Sequence, residues 1–335
     1  MGDREYRPSL TALLRDSMHT RTLTATDADL ATAGDLLRAG RLVAFPTETV
    51  YGLGANALDP EAVRGVFEVK ERPADNPLIV HLPDLDGLER LVREVTPLAG
   101  RIAAEFWPGP LTMVLEARPE VPKVTTGGLT TVAVRVPDHP VAIALLRMAA
   151  VPVAAPSANR SGRPSPTTAA HVMADLAGRI DAVVDGGRCV FGIESTVVDV
   201  RGEHPVVLRE GAVTREDLGV VEQRAGASDI DASPGTRHRH YQPSCRVEIA
   251  PAGTAAATAA GLAGEGVSVG LLATCEPPPD VAGLGRFDHA GELAALLYAA
   301  FRDGEEAGLD VIVVEAVPDV GVGRAVMDRL RRASA

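Results

Sequence analysis

Short apolar runs alternate with amphipathic stretches along the first two thirds of the chain. From Asp27 to Arg38 the pattern ADLATAGDLLRAG reads as an amphipathic helix that Gly40 stops, and RLVAFPT after it reads as a buried strand. Further helical signals at PEAVRGVFEVK, LDGLERLV and TPLAGRIAAEFW are interleaved with strand candidates at PLIVHL, LTMVLEA, TVAVRVP, PVAAPS, AVVDGG, STVVDV and PVVLREG. So many strands among helices predict an α/β domain. Several connections are too short for a crossover helix, so a twisted, mostly mixed sheet with helices around it is expected. That domain should occupy residues 23–228, behind a polar extension of mixed charge at 1–22.

The pattern then breaks. DIDASPGTRHRHYQPSC has no apolar periodicity and holds two prolines and a glycine, so residues 229–244 read as a linker. From 245 to 335, CRVEIA, VSVGLLAT and LDVIVVEAV alternate with Ala-rich or amphipathic helices, the last being GRAVMDRLRRA. This predicts a second, smaller α/β domain with a parallel, Rossmann-like sheet.

Composition narrows the class. With 335 residues and 46% hydrophobic positions, the chain can build two cores. The segment MGDREYRPSLTALLRD carries both signs of charge, and Gly or Pro breaks the longer uncharged runs, so neither a signal peptide nor a membrane helix is expected and a cytoplasmic location is. Three widely spaced cysteines, Cys189, Cys245 and Cys275, suit reduced thiols better than a disulfide framework or a zinc knuckle. A formal net charge of -12 opposes broad, non-specific nucleic-acid binding, which needs many cationic contacts, yet leaves room for a small basic pocket.

The candidate chemistry sits at the strand ends. PTETVYGLGANAL has glycines at the spacing of a dinucleotide fingerprint, but Asn56, Asp59 and Pro60 postpone the next helix, so Gly52 and Gly54 read as a tight turn at positive φ. Thr47, Glu48, Thr49 and Tyr51 would then line a site beyond the strand. In KERPADNPLIVH, Lys70 and Arg72 lie two apart and, in an extended segment, would converge on one anion; a solvated charged turn is the alternative. His81 in an apolar strand reads as a satisfied core histidine. Arg135 in TVAVRVP must be paired or stand at a pocket wall, where its fork would suit a small carboxylate. Glu194, Ser195 and Thr196 before one strand, and Arg209 closing another, pose the same choice. Finally, APSANRSGRPSPTTAAHV sends Ser157 and Asn159 out of a strand into a proline-stiffened loop, with Ser165 or Thr167 as the cap of a helix near 167. Such a turn offers preorganised donors to phosphate or carboxylate oxygens.

In series, PTETVYGLGANA, KERPADNPLIVH, FWPGPLTMVL, TVAVRVP, APSANRSGRPSPT, GIESTVVD, VLREG and SPGTRHRHYQP resemble the threonylcarbamoyl-AMP synthase family in its two-domain form, over about residues 27–245, and GVGRAVMDRLRRA resembles its C-terminal signature. The resemblance implies an open catalytic cavity and a nucleotidyltransferase reaction. L-threonine, bicarbonate and ATP would give L-threonylcarbamoyladenylate and pyrophosphate, for modification of the adenosine beside the tRNA anticodon by downstream threonylcarbamoyltransferase proteins. It implies Thr49, His81, Arg135, Ala155 (through its backbone) and Ser195 as threonine-binding. Arg72, Asn76, Thr131, Ser157, Ser165, Arg209 and Tyr241 would bind ATP. By the same resemblance Lys70, Arg72, Ser157 and Asn159 would form the family's paired catalytic motifs, and Mg2+ would accompany the phosphates. The linker would lie over the site, with Tyr241 covering the nucleotide and Arg237, His238, Arg239 and His240 beside it. Thr236, His238 and Asp328 depart from the residues usual in the family. Two other functions compete: an RNA-binding module without adenylate synthesis, and a paralogue making a related carbamoyl-adenylate in a specialised pathway.

Overall fold

The computed structural model describes residues 19–220 and 241–335. The first stretch runs β1 (Arg21–Leu23), α1 (Asp27–Arg38), β2 (Val43–Phe45), β3 (Gly52–Asn56), α2 (Pro60–Lys70), β4 (Ile79–His81), a 3-10 turn at Leu88–Arg90, α3 (Pro97–Phe106), β5 (Leu111–Glu116), β6 (Thr131–Arg135), α4 (Pro140–Ala149), β7 (Val153–Ala154), α5 (Ala169–Leu176), β8 (Ala182–Val184), β9 (Thr196–Asp199) and β10 (Val206–Arg209). Its strands form one sheet in the order β1-β8-β2-β3-β7-β4-β6-β5-β9-β10. The β1–β8, β8–β2, β4–β6 and β5–β9 pairs are parallel and the others antiparallel, so the sheet is mixed as its short connections required.

Several helices begin where polar side chains satisfy the free amides of the first turn. Thr26 accepts from Asp29 N ahead of α1, and Asp59 accepts from Glu61 N and Ala62 N ahead of Pro60 in α2. Helix α1 buries Leu30, Ala33, Gly34 and Leu37 against α4. A Cβ on Gly34 would stand 2.8 Å from the Met148 carbonyl carbon, so the two helices meet at backbone distance only because that residue is glycine.

Several local expectations change. Arg21 and Thr22, expected in the extension, instead join Leu23 in a strand that pairs with β8, and Thr20 Oγ1 donates to the Ile180 carbonyl at 2.7 Å. A three-residue edge strand with one buried side chain, Leu23, leaves almost no apolar signature. Gly52 and Gly54 are not a turn but lie within β3, outside the positive-φ glycines. They are needed for close approach, because a Cβ on Gly54 would be 2.9 Å from Val153 Cγ1 and 3.0 Å from Phe45 Cε1. LDGLERLV shrinks to the 3-10 turn because its end is taken up by a bridge between Val92 and Ala117. The cap of α5 is Thr168, which accepts from His171 N, and not Ser165 or Thr167.

After the undescribed residues come β11 (Arg246–Ala250), α6 (Ala255–Gly264), β12 (Val269–Ala273), β13 (Ala282–Arg286), α7 (Ala290–Glu306), β14 (Val311–Glu315) and α8 (Val322–Ala333). The sheet is wholly parallel, β11-β14-β12-β13. Alternation along β14 divides its faces: Val311 and Val313 join Ala255 and Ala259 of α6, whereas Ile312 and Val314 join Leu297 and Phe301 of α7 and Leu330 of α8. The second of these cores also contains Val50 and Ile193 from the first domain, and Tyr241. Its helical layer is therefore sealed by the larger domain. Arg237, His238, Arg239 and His240, with Thr236, lie outside the described residues.

Candidate active site

Several loops and strand ends of the mixed sheet converge on a cavity that is partly open to solvent. The exit of β2 brings Thr47, Thr49 and Val50; β4 and β6 bring His81 and Arg135, which are register partners; the segment after β7 brings Ala155, Ser157, Asn159 and Ser165. Glu194 and Ser195 stand at the entrance to β9, Arg209 ends β10, and Tyr241 closes the rim from beyond the undescribed residues.

Arg135 is 3% exposed and its fork is already engaged. Nη1 donates to Thr49 Oγ1 at 2.9 Å, Nε donates to the Gly109 carbonyl at 3.2 Å, and Nη2 lies 2.5 Å from Glu48 Oε1. Glu48 and Nη2 form an ion pair by proximity without the alignment of a hydrogen bond. Thr47 gives its proton to the Val50 carbonyl, so Thr49 must donate to Thr47 Oγ1 while it accepts from Arg135. The hydroxyls of Thr47 and Thr49 thus have a fixed direction. Arg135 is both paired and at the pocket wall, a combination that its place in the sequence had presented as a choice. His81 beside it is neutral: burial, then the charge of Arg135, push its imidazole down to about 3, and Nδ1 faces the Ile79 carbonyl at 3.2 Å. The Ala155 amide is taken by the same carbonyl, at 2.8 Å.

The lining also includes Arg72, Ser157, Asn159 and Ser165. Arg72 Nη2 donates to the Pro77 carbonyl at 3.2 Å while its buried Nε has no partner. Burial lowers its guanidinium to about 10, so it stays charged at neutral pH. Asn159 donates to the Arg160 and Arg163 carbonyls at 2.8 Å each, leaving its buried Oδ1 without a partner. Arg209 grips Ser195, with Nε and Nη2 at 3.1 and 2.8 Å from its carbonyl and Nη2 at 3.2 Å from its hydroxyl, which also meets Thr112 Oγ1 at 2.8 Å.

Lys70 requires a correction. It ends α2 rather than lying in an extended segment, and Glu71 after it is left-handed at φ 56°, so Lys70 and Arg72 do not share a face. Lys70 is 1% exposed, does not line the cavity, and donates to the Ser157 carbonyl at 2.5 Å and to the Asn159 carbonyl. Burial, then repulsion from Arg72, lower its ammonium well below the usual lysine value. It braces the backbone of the loop from behind. Asn76 and Thr131 are buried but also stand off the cavity, Thr131 at the opposite end of β6 from Arg135. Tyr51 turns away as well, and its hydroxyl donates to the Gly187 carbonyl at 2.7 Å.

The second domain supplies side chains that sequence spacing does not connect to the cavity. Arg302 of α7 donates to the Pro164 carbonyl at 2.5 Å and pairs with buried Asp175 at 2.8 Å, which holds the loop of Ser165 from outside. Tyr298 stacks on Tyr241 with ring centroids 5.5 Å apart, and the Arg329 guanidinium lies 5.6 Å from the centroid of the Tyr241 ring. Among the described residues no group of three His, Cys, Asp or Glu side chains could hold a metal ion, and no helix is long and apolar enough to cross a membrane.

Comparison with known proteins agrees with this architecture. The signature of the family described as "Telomere recombination" matches residues 35–211, and that of "Threonylcarbamoyl-AMP synthase, C-terminal domain" matches residues 211–335. The threonylcarbamoyl-AMP synthase of Pyrococcus abyssi is 46% identical over 317 residues, covering 90% of this chain and 93% of its own. That of Bacillus subtilis is 44% identical over 333 residues, covering 94% and 95%. The crystal structure of P. abyssi Sua5 complexed with L-threonine superposes with a TM-score of 0.87 at 41% identity, over 94% of this chain and 97% of that one. Two domains in the same order, one fold along nearly the whole length and this level of identity establish that the chain belongs to the threonylcarbamoyl-AMP synthase family.

Proposed function

We propose that this chain makes L-threonylcarbamoyladenylate and pyrophosphate from L-threonine, bicarbonate and ATP, and that the product passes to proteins that modify the adenosine beside the tRNA anticodon. The observation that carries this reading is one cavity lined by two unlike cationic groups. Arg135 and Thr49 form a directed fork beside a neutral imidazole. Arg72 keeps a donor without a partner and shares the lining with Ser157 and Asn159. The relatives named threonylcarbamoyl-AMP synthase, one of them solved with L-threonine, support assigning the first group to threonine and the second to the nucleotide.

The chemistry requires placement more than a covalent nucleophile. The threonine amine and bicarbonate form a carbamate and release water; a carbamate oxygen then attacks the α-phosphorus of ATP, and the bond to the β-phosphate breaks to release pyrophosphate. Holding the two reactants in line replaces a bimolecular encounter, which is worth many orders of magnitude in effective concentration. Arg135 would hold the threonine carboxylate. Neutral His81 adds no charge there and serves as a wall against the amino acid. Arg72 and the amides of the stiffened loop would balance the charge that builds on the phosphates. The cavity's carboxylate, Glu194, is taken up by Arg329, Tyr298 and Ser165, and Glu48 behind the wall pairs with Arg135. These side chains do not make a magnesium cage, so the ion expected with ATP would ride on the phosphate oxygens.

Pyrophosphate release by the purified chain, with the adenylate identified by mass spectrometry, tests the reading. Release should require ATP, threonine and bicarbonate together. Equal release with either of the last two omitted would exclude a carbamate intermediate, and a product carrying another amino acid would reassign the substrate.

A further inference from the structure

A cluster of buried charge between the domains reaches the cavity through Glu194. Its carboxylate accepts from the Ser165 hydroxyl at 2.6 Å and from the Tyr298 hydroxyl at 3.2 and 3.1 Å, and pairs with Arg329 Nε at 3.2 Å. Tyr298 and Arg329 are wholly buried and belong to α7 and α8 of the C-terminal domain. The same two side chains flank Tyr241. Burial alone would raise the Glu194 carboxyl, but Arg329, Arg209 and the Ser165 bond outweigh it and hold the group below its usual value.

An ionised carboxylate only accepts hydrogen bonds, and a serine hydroxyl has one hydrogen to give. At 2.6 Å that hydrogen belongs to Glu194. Ser165 therefore presents lone pairs to the cavity. It is unsuited to a phosphate oxygen, which needs a donor, and suited to an O–H or N–H of the ligand. Tyr298 cannot reverse its own bond for the same reason: facing a carboxylate, its hydroxyl must donate.

We propose that Arg329 and Tyr298 are positioning residues which fix Glu194 so that Ser165 reads a hydrogen-bond donor on the nucleotide, a sugar hydroxyl or the base amine, and not its phosphates. The proposal rests on the adenylate-forming reading and gives the C-terminal domain a part in nucleotide selection. If Arg329 is lost, a buried carboxylate loses the cation paired with it and keeps only the more weakly acting Arg209. Such a group takes up a proton or draws in water, and either change frees the Ser165 hydroxyl to rotate.

The experiment uses the full chain and measures pyrophosphate release with ATP, 2′-deoxy-ATP, 3′-deoxy-ATP and inosine triphosphate, each analogue lacking one donor. One analogue should raise the parent's KM about three- to tenfold, as loss of one hydrogen bond implies. Ser165→Ala should abolish that penalty, and so should Arg329→Met and Tyr298→Phe, while Arg329→Lys should retain it. Tyr298→Phe removes a single oxygen, so it tests the idea even if Arg329→Met fails to fold. Three results overturn the proposal: no analogue is penalised in the parent, the penalty survives in Ser165→Ala, or Tyr298→Phe weakens ATP with discrimination intact. A parent chain that releases no pyrophosphate from any nucleotide would instead remove the adenylate reading beneath it.

Discussion

Arg135 and Arg72 line the same cavity and differ in what balances them. Arg135 has a carboxylate, a hydroxyl and a carbonyl on its three nitrogens; Arg72 has one carbonyl and a buried Nε with no partner. A compensated guanidinium is a rigid, weakly attractive fork, good for orienting a small carboxylate that must arrive and leave. An under-compensated one carries unused charge, which suits a polyanion. The comparison teaches that charge balance, rather than composition, can distinguish two groups of side chains lining one cavity, since each is built around the same residue type.

The largest effect should come from the less balanced group. Arg72→Ala removes a charged donor whose worth against a phosphate is about 1.5 to 3 kcal/mol, so the KM for ATP should rise by roughly ten- to a hundredfold with little change for threonine. Arg135→Ala should do the converse, raising the threonine requirement by about tenfold or more. Steady-state kinetics with each substrate varied in turn measure both. If either variant moves the two KM values equally, the cavity is not divided as drawn.

Glu48 sharpens the comparison. Glu48→Gln would leave Arg135 as unbalanced as Arg72 but far more buried, and breaking a buried pair costs about 3–5 kcal/mol. The variant should melt at lower temperature than the parent. A threonine carboxylate could then take the place of the missing one, so L-threonine should raise the variant's melting temperature by more than it raises the parent's. Equal protection of the two proteins would mean that threonine does not meet this guanidinium.

Much of this was legible in the chain because strand ends announce themselves. Arg135 interrupts an apolar strand, and the hydroxyl-rich loop after Val153–Ala154 leaves a strand too short to need so many prolines. What stayed hidden depends on distance along the chain. Nothing local predicts that Glu194 will be held by residues 104 and 135 positions away, or that Lys70 will face two backbone carbonyls beyond residue 156. Gly52 and Gly54 are ambiguous for a different reason. Glycine serves both positive φ and close approach, and only the packed neighbours Val153, Phe45 and Ala155 decide between them. Edge strand β1 was missed because one buried leucine is too little pattern to read.

The smallest effect is a slope. His81 is held neutral, its imidazole lowered to about 3 by burial and by Arg135, whereas in the unfolded chain it titrates near the ordinary 6.5. Between those values the unfolded chain binds a proton that the folded chain refuses, so folding stability falls as pH drops below about 6.5, by at most about 1.4 kcal/mol per pH unit from this one group. His171, lowered to about 4 mainly by burial, acts in the same direction and sits away from the cavity. Replacing His81→Asn removes one titrating group and leaves His171 in place. Urea unfolding followed from pH 7 to 4.5 should therefore show a shallower loss of stability in the variant, by close to one proton, whatever its stability at pH 7. The activity of the parent should show no limb attributable to His81 between pH 5 and 9. An unchanged slope in the variant would mean that the imidazole takes up its proton while folded, and the cavity would then carry a second cation beside Arg135.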